Sequence, residues 1–192
     1  MQAYVLIVLM LLSVNLQAQT QIVEPSQAKL LGIKLIEADM DAVRVHIKDI
    51  GGFKQDRATL KHSNMDKFFA YSHLRDSYYV EFQYDPNGKV VAAKRLFRRS
   101  AKHFNNEYRD LQTEDVARQL IQVYGQPQQV IRKSRDGLHR YASYIWRDQD
   151  MTITLDRVGS DTMAPIFLRY ELQTDRYVAK TPEPDALAAV QR

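Results

Sequence analysis

The sequence predicts an α+β fold: a tandem repeat of a helix followed by three to four antiparallel strands, with the helices packed on one face of the sheet. Three observations predict it. Two capped, amphipathic helix patterns each end in glycine, at Gly51-Gly52 and at Gly125. Each is followed by runs that alternate apolar and polar residues, such as Tyr78, Val80, Phe82 and Tyr84 against Tyr79, Glu81 and Gln83. A shift of 74 residues superimposes Asp41 on Asp115, Arg44 on Arg118, Ile47 on Ile121, Gly51 on Gly125 and Gln55 on Gln129, and further on Asp76 on Asp150 and Arg95 on Arg169.

The 192 residues suit one compact domain or two small units sharing a core, and 45% apolar residues are enough to build it. The predicted organisation is a secretory signal over 1–18, a first helix-sheet unit over 19–98, a basic linker over 99–110, a second unit over 111–174 and a tail over 175–192. The signal rests on the apolar run Tyr4–Leu12 and the Leu16-Gln17-Ala18 ending. That run is far short of the ~20 apolar residues of a spanning helix. Polar Gln19–Ala28 reads as a lead-in linker, and Leu30, Leu31, Ile33, Leu35 and Ile36 as a short strand or helix.

In the first helix Asp39 or Asp41 can cap, and Met40, Val43, Ile47 and Ile50 recur at helical spacing. Strands are expected from Phe53 to His62, Ser77 to Asp85 and Lys89 to Phe97, with a hairpin turn at Asp85-Pro-Asn-Gly88. In the second helix Thr113 reads as the cap and Val116, Ala117, Leu120, Ile121 and Tyr124 as the stripe. Pro127 forbids its resumption. Strands follow at Gln128–Lys133, Arg140–Arg147, Met151–Arg157 and Pro165–Leu172.

Asp115–Pro127 and, more weakly, Asp41–Phe53, together with the strand order, carry a family likeness. The chain resembles small bacterial envelope proteins: the SmpA/OmlA-type outer-membrane assembly lipoproteins and the tandem-repeat β-lactamase inhibitor proteins. The resemblance implies an α+β binding module that presents a sheet face to another protein, without catalysis. The lipoproteins need a cysteine after the signal and the inhibitors carry disulfides, and this chain has no cysteine. No functional residue of either group maps onto it.

Lack of cysteine excludes disulfides, thiolate nucleophiles and cysteine-based metal sites. For an exported protein it points to a bacterial envelope, periplasmic or secreted. The five histidines, His46, His62, His73, His103 and His139, show no metal-ligand spacing. His73, Asp76 and Ser77 crowd into five positions, whereas triads draw on distant segments, and no glycine-rich loop suggests a nucleotide or other cofactor. Asp148 and Asp150 read as turn residues. The net charge of +4 is modest, and export argues against nucleic acid as partner.

Aromatic and arginine side chains on an open sheet are the usual material of protein recognition. If Ile145 packs inward, Tyr144 and Trp146 face outward beside Tyr79, flanked by Arg95 and Arg169; these five are the expected partner-binding set. Arg98, Arg99 and Lys102 form a basic cluster for the alternative of an anionic lipid or polysaccharide. A second alternative is a hydrolase or transferase acting on envelope glycans, with Glu81 and Asp156 in a sheet groove.

Overall fold

The structure is a computed structural model describing residues 22–71, 76–98, 100–102, 108–134, 140–160 and 164–173. The expected signal at 1–18 and tail at 175–192 lie outside the described residues.

The chain enters through a 3-10 turn at Pro25–Gln27 and a two-stranded hairpin, β1 (Lys29–Leu30) and β2 (Ile33–Lys34). Helix α1 (Met40–Ile50) follows, with Asp39 as its cap: the carboxylate accepts from Ala42 N at 3.0 Å. The helix stops at Gly51, whose φ of 64° side chains rarely adopt. Strands β3 (Phe53–Gln55), β4 (Met65–Ala70), β5 (Ser77–Tyr84) and β6 (Val90–Phe97) form a meander. A small hairpin, β7 (Ser100–Lys102) with β8 (Tyr108–Asp110), occupies the expected linker. Helix α2 (Thr113–Tyr124) begins one residue earlier than the expected cap implies. Gln112 holds the cap position, its N–H donating to Asp115 at 3.2 Å, while Thr113 is fully buried. A second meander follows: β9 (Gln129–Ser134), β10 (Arg140–Arg147), β11 (Met151–Arg157) and β12 (Ile166–Leu172).

These strands join in one eight-stranded antiparallel sheet of order β3-β4-β5-β6-β12-β11-β10-β9. The expected tandem repeat of helix-plus-sheet units, with the helices packed on one face of the sheet, is therefore corrected. The described residues are mostly this single sheet, and the two α-helices among them are 11 and 12 residues long. Neither meander owns a sheet, because β6 and β12 pair directly, Leu96 with Phe167 through Ala92 with Glu171. The residues equated by the shift also hold unlike places. Arg44 binds buried Asp66, while Arg118 is 73% exposed beside Asp115. Ile47 is in the core, and Ile121 only borders it.

Size explains why the helices cannot define the architecture. Helices of this length span about 16–18 Å, whereas eight strands span about 34 Å. The segment read as a lead-in linker completes the cover. Val23 N donates to Val123 O at 2.8 Å and Ser26 N to Asp148 at 2.6 Å, and Ala28, Leu30, Ile33 and Leu35 are buried in the same cluster as Val43, Ile47, Val116, Ala117 and Trp146. The expected strand over Phe53–His62 ends at Gln55, because the Asp56 carboxylate accepts from Ala58 N and turns the chain into β4.

Candidate functional site

Antiparallel register assigns every strand residue to one of two faces. One covered row runs Trp146, Ile153, Tyr170, Ala93, Phe82, Asp66 across six strands; the next runs Tyr144, Leu155, Leu168, Arg95, Val80, Phe68. Their apolar members are in the core cluster or packed against it. One residue over, the opposite face carries Ile145, Thr154, Arg169, Lys94, Glu81, Lys67, and beside it Phe167, Leu96, Tyr79, Phe69. None of these ten belongs to the core cluster, although Leu96 is itself buried among its neighbours on this face. This second face is the candidate site.

The register corrects the expected binding set. Trp146 is fully buried, its Nε1 donating to Gly125 O at 2.9 Å, and Tyr144 stacks on it with ring centroids 6.1 Å apart. Ile145, expected inside, is the residue on the open face. In Ala142–Trp146 both faces are nonpolar enough that alternation alone does not reveal which one meets the core. Arg95 and Arg169 point to opposite faces, because Arg95 is level with Leu168 and Arg169 with Lys94. Arg95 donates Nε to Ser77 Oγ at 2.8 Å and pairs with Asp76, while Arg169 pairs with Glu171 at 2.8 Å. Of the five, Tyr79 and Arg169 stand on the open face.

Arg98 is occupied by the fold. Its guanidinium donates to Ser77 O at 3.1 Å and Ala70 O at 2.7 Å, tying β6 to β5 and β4. Arg99 and the Lys102 side chain lie outside the described residues, as do His73, His103 and His139.

The open face divides into an aromatic end and a charged centre. Phe69, Tyr78 and Tyr79 form a triangle with centroids 5.7–6.0 Å apart. A register shift between Ser77 and Tyr79 leaves Tyr78 unpaired, bulged and half exposed. Lys67 Nζ lies 4.1 Å from the Tyr79 centroid and 5.2 Å from that of Phe69, and Lys94 Nζ 5.0 Å from that of Phe167. Burial, then the nearby Glu81 charge, raises the Tyr79 phenol above its ordinary pKa, so it stays a neutral hydrogen-bonding group. In the centre Glu81, Gln83, Ala92, Lys94 and Arg169 line a depression of about 180 Å³.

Glu81 and Asp156 do not form a catalytic pair. Their strands, β5 and β11, are separated by β6 and β12, about 14 Å of lateral spacing. Glycosidase carboxyls stand roughly 5–9.5 Å apart. Asp156 is also engaged by Lys133 and by Ser143 Oγ at 2.7 Å. Burial would raise its pKa, but those hydrogen bonds outweigh it and hold the carboxyl below its usual value. Among the described residues no three His, Asp or Glu side chains converge as metal ligands, and no helix is long and apolar enough to cross a membrane.

Sequence reasoning missed two groups. Lys67, Phe69, Lys94 and Phe167 join the open face through cross-strand register, which only Tyr79's position relative to Glu81 hinted at. Asp66 is fully buried beneath α1, bound by Arg44 Nε at 2.8 Å and Nη2 at 3.0 Å, by Gln55, and by the Tyr84 hydroxyl at 3.1 Å. The available signal was its position two before Phe68 in an alternating strand. Comparison of the chain with family profiles, characterised proteins and solved structures gave no match.

Proposed function

We propose that this chain is a non-enzymatic, exported binding module of a bacterial envelope, periplasmic or secreted, that docks a protein partner on the open sheet face. The observation that carries the reading is the row Phe69, Tyr79, Leu96, Phe167 lying beside the row Lys67, Glu81, Lys94, Arg169. An apolar, aromatic ridge flanked by charges is the composition of interface hot spots and their rims. With Glu171, which pairs with Arg169, the face holds Lys67, Lys94 and Arg169 against Glu81 and Glu171, a net positive charge that favours a partner whose contact patch is acidic. Export is supported by the apolar run Tyr4–Leu12 with its Leu16-Gln17-Ala18 ending, and for an exported chain the absence of cysteine favours a bacterial envelope. The bulge that lifts Tyr78 out of the ladder adds a ring at the edge of the ridge.

Photo-crosslinking tests this directly. A photoreactive residue in place of Tyr79 should capture one envelope protein that the same residue at Val45, exposed on α1, does not. The purified captured protein should then bind the chain and lose at least about tenfold in affinity to Lys94→Glu. Equal capture from both positions, or affinity indifferent to Lys94→Glu, would remove the open face from the reading.

A further inference from the structure

A second cavity opens on the covered side of the sheet, away from the proposed docking face. It holds about 410 Å³ between α2, the N-terminal segment and the central strands β6 and β12. The fold explains its position. Helix α2 lies over β10 and β11, and α1 is tied to β4 through Arg44 and Asp66. The strands between them are left to the thin N-terminal segment, whose coverage is incomplete.

The lining is two-sided in chemistry. Val23, Val116, Leu120, Val123 and Leu168 form apolar walls, and Tyr170 closes one side. Arg95, Lys29 and Asp76 supply the charged groups of the lining, Arg95 level with Leu168 across the β6–β12 pair. Arg95 is held in place rather than waving in solvent. Ser77 Oγ, itself buried, accepts from its Nε at 2.8 Å, Asp76 pairs with Nη2, and the guanidinium carbon sits 4.6 Å from the Phe97 ring centroid. Among the described residues nothing accepts from its Nη1. Arg95 and Lys29 against Asp76 leave one net positive charge in the lining.

We propose that this cleft binds a long-chain monocarboxylate, the alkyl chain lying between α2 and Leu168 and the carboxylate meeting Arg95 and Lys29. The volume falls in the lower part of the ~300–1,000 Å³ range of small-molecule sites, and apolar walls with a few convergent polar groups are their usual build. A pre-positioned guanidinium supplies a charge-assisted donor to a carboxylate without first having to be ordered. The ligand is a free fatty acid, whether dissolved in water or held in a bilayer, since an ester-linked acyl chain carries no carboxylate, and the assay separates these two sources.

The test is calorimetric titration of the full chain with dodecanoate, with dodecanol as the neutral control, and flotation with phosphatidylcholine vesicles prepared with and without dodecanoate. Dodecanoate should bind at a single site, at least about tenfold more tightly than dodecanol. Arg95→Gln should reduce that preference to within about threefold. Leu120→Trp, which fills the cleft from a half-buried helix position, should abolish binding of both ligands. Lys29→Gln, at an exposed position, keeps the test decisive if Arg95→Gln fails to fold, and should weaken dodecanoate severalfold while leaving dodecanol unchanged. Flotation that requires dodecanoate in the vesicles and that Leu120→Trp abolishes would identify the bilayer-held acid as the source. The proposal is overturned by no dodecanoate binding together with no cleft-dependent flotation. Binding that Leu120→Trp leaves intact, or an affinity equal for acid and alcohol, overturns it as well.

Discussion

Ile145 and Trp146 are chain neighbours with opposite surroundings. Trp146 is fully buried, hydrogen-bonded to the carbonyl that ends α2 and stacked on Tyr144. Ile145 is half-buried on the face that carries Arg169 and Lys94. The same contrast continues across the sheet. Tyr170 lies beside Arg169, Ala93 beside Lys94, Phe82 beside Glu81, and Asp66 beside Lys67. One face is a core held by packing and a buried carboxylate, and the other is a mixed surface with little to hold. Stability therefore belongs to the covered rows and recognition to the open ones, and substitutions should separate the two.

The largest loss is expected at Trp146. Trp146→Ala removes the largest fully buried side chain and its hydrogen bond to Gly125 O, and should cost about 4 kcal/mol in urea unfolding. A loss under about 1 kcal/mol would mean that the ring is not in the core. Asp66 comes next. Asp66→Ala leaves Arg44, Gln55 and Tyr84 without their shared acceptor and should cost about 3 kcal/mol. Tyr84→Phe, which removes one donor, should cost only about 1 kcal/mol. Equal losses for the two would show that Asp66 does not organise the group. Gly125→Ala is smaller, about 2 kcal/mol, because φ 72° and ψ −164° lie in a region nearly reserved for glycine.

Acid should act through two carboxylates at the margins of these rows. Asp148 accepts from Ser26, Asp150 and Met151 N–H groups, and Asp156 from Lys133 and Ser143. In both, burial pushes the pKa up but the hydrogen bonds prevail, so each sits below the ordinary carboxyl value. The unfolded chain then binds protons that the folded one does not. The stability they add is complete above about pH 4 and drains away as pH falls through the depressed values. Between pH 7 and pH 3 the urea midpoint should fall less in Asp148→Asn/Asp156→Asn than in the parent chain; an equal fall would assign the acid limb to other groups.

The contrast between the faces was only partly legible in the sequence. Helix positions, the Asp85–Gly88 turn and most strands follow from glycine stops and alternation, since these depend on local φ and on side-chain period. What alternation does not supply is the sign of a face where both sides are nonpolar, as around Ile145. It also does not show which strand a strand will meet, and that pairing set Arg95 and Arg169 on opposite faces. The repeat reading failed for the same reason: matched letters at a 74-residue spacing say nothing of whether Arg44 and Arg118 find equivalent partners. Gln19–Ala28 read as a linker because, of its described residues, only Pro25 and Ala28 are buried, while backbone N–H groups of Val23 and Ser26 tie it to the fold. Of the open face, Tyr79, Glu81 and Arg169 were visible beforehand; Lys67, Phe69, Lys94 and Phe167 needed the register.

The smallest effect on stability should come with the largest effect on binding. Lys94→Glu/Arg169→Glu alters two neighbouring cations on β6 and β12, where Arg169 is exposed and its pairing with Glu171 is a surface contact. Such pairs contribute little, so unfolding should shift by no more than about 0.5–1 kcal/mol. Reversing two charges in the centre of the open face should nonetheless repel an acidic partner, slowing association and weakening it by at least about tenfold, most strongly at low salt. Tyr79→Ala should weaken the same complex with little salt dependence, because it removes apolar and aromatic contact instead of charge. If the double charge reversal unfolds the chain as Trp146→Ala does, the two faces are not separable. If binding survives both changes, the ridge and the charged row are surface without a partner, and recognition must be sought on the helix side.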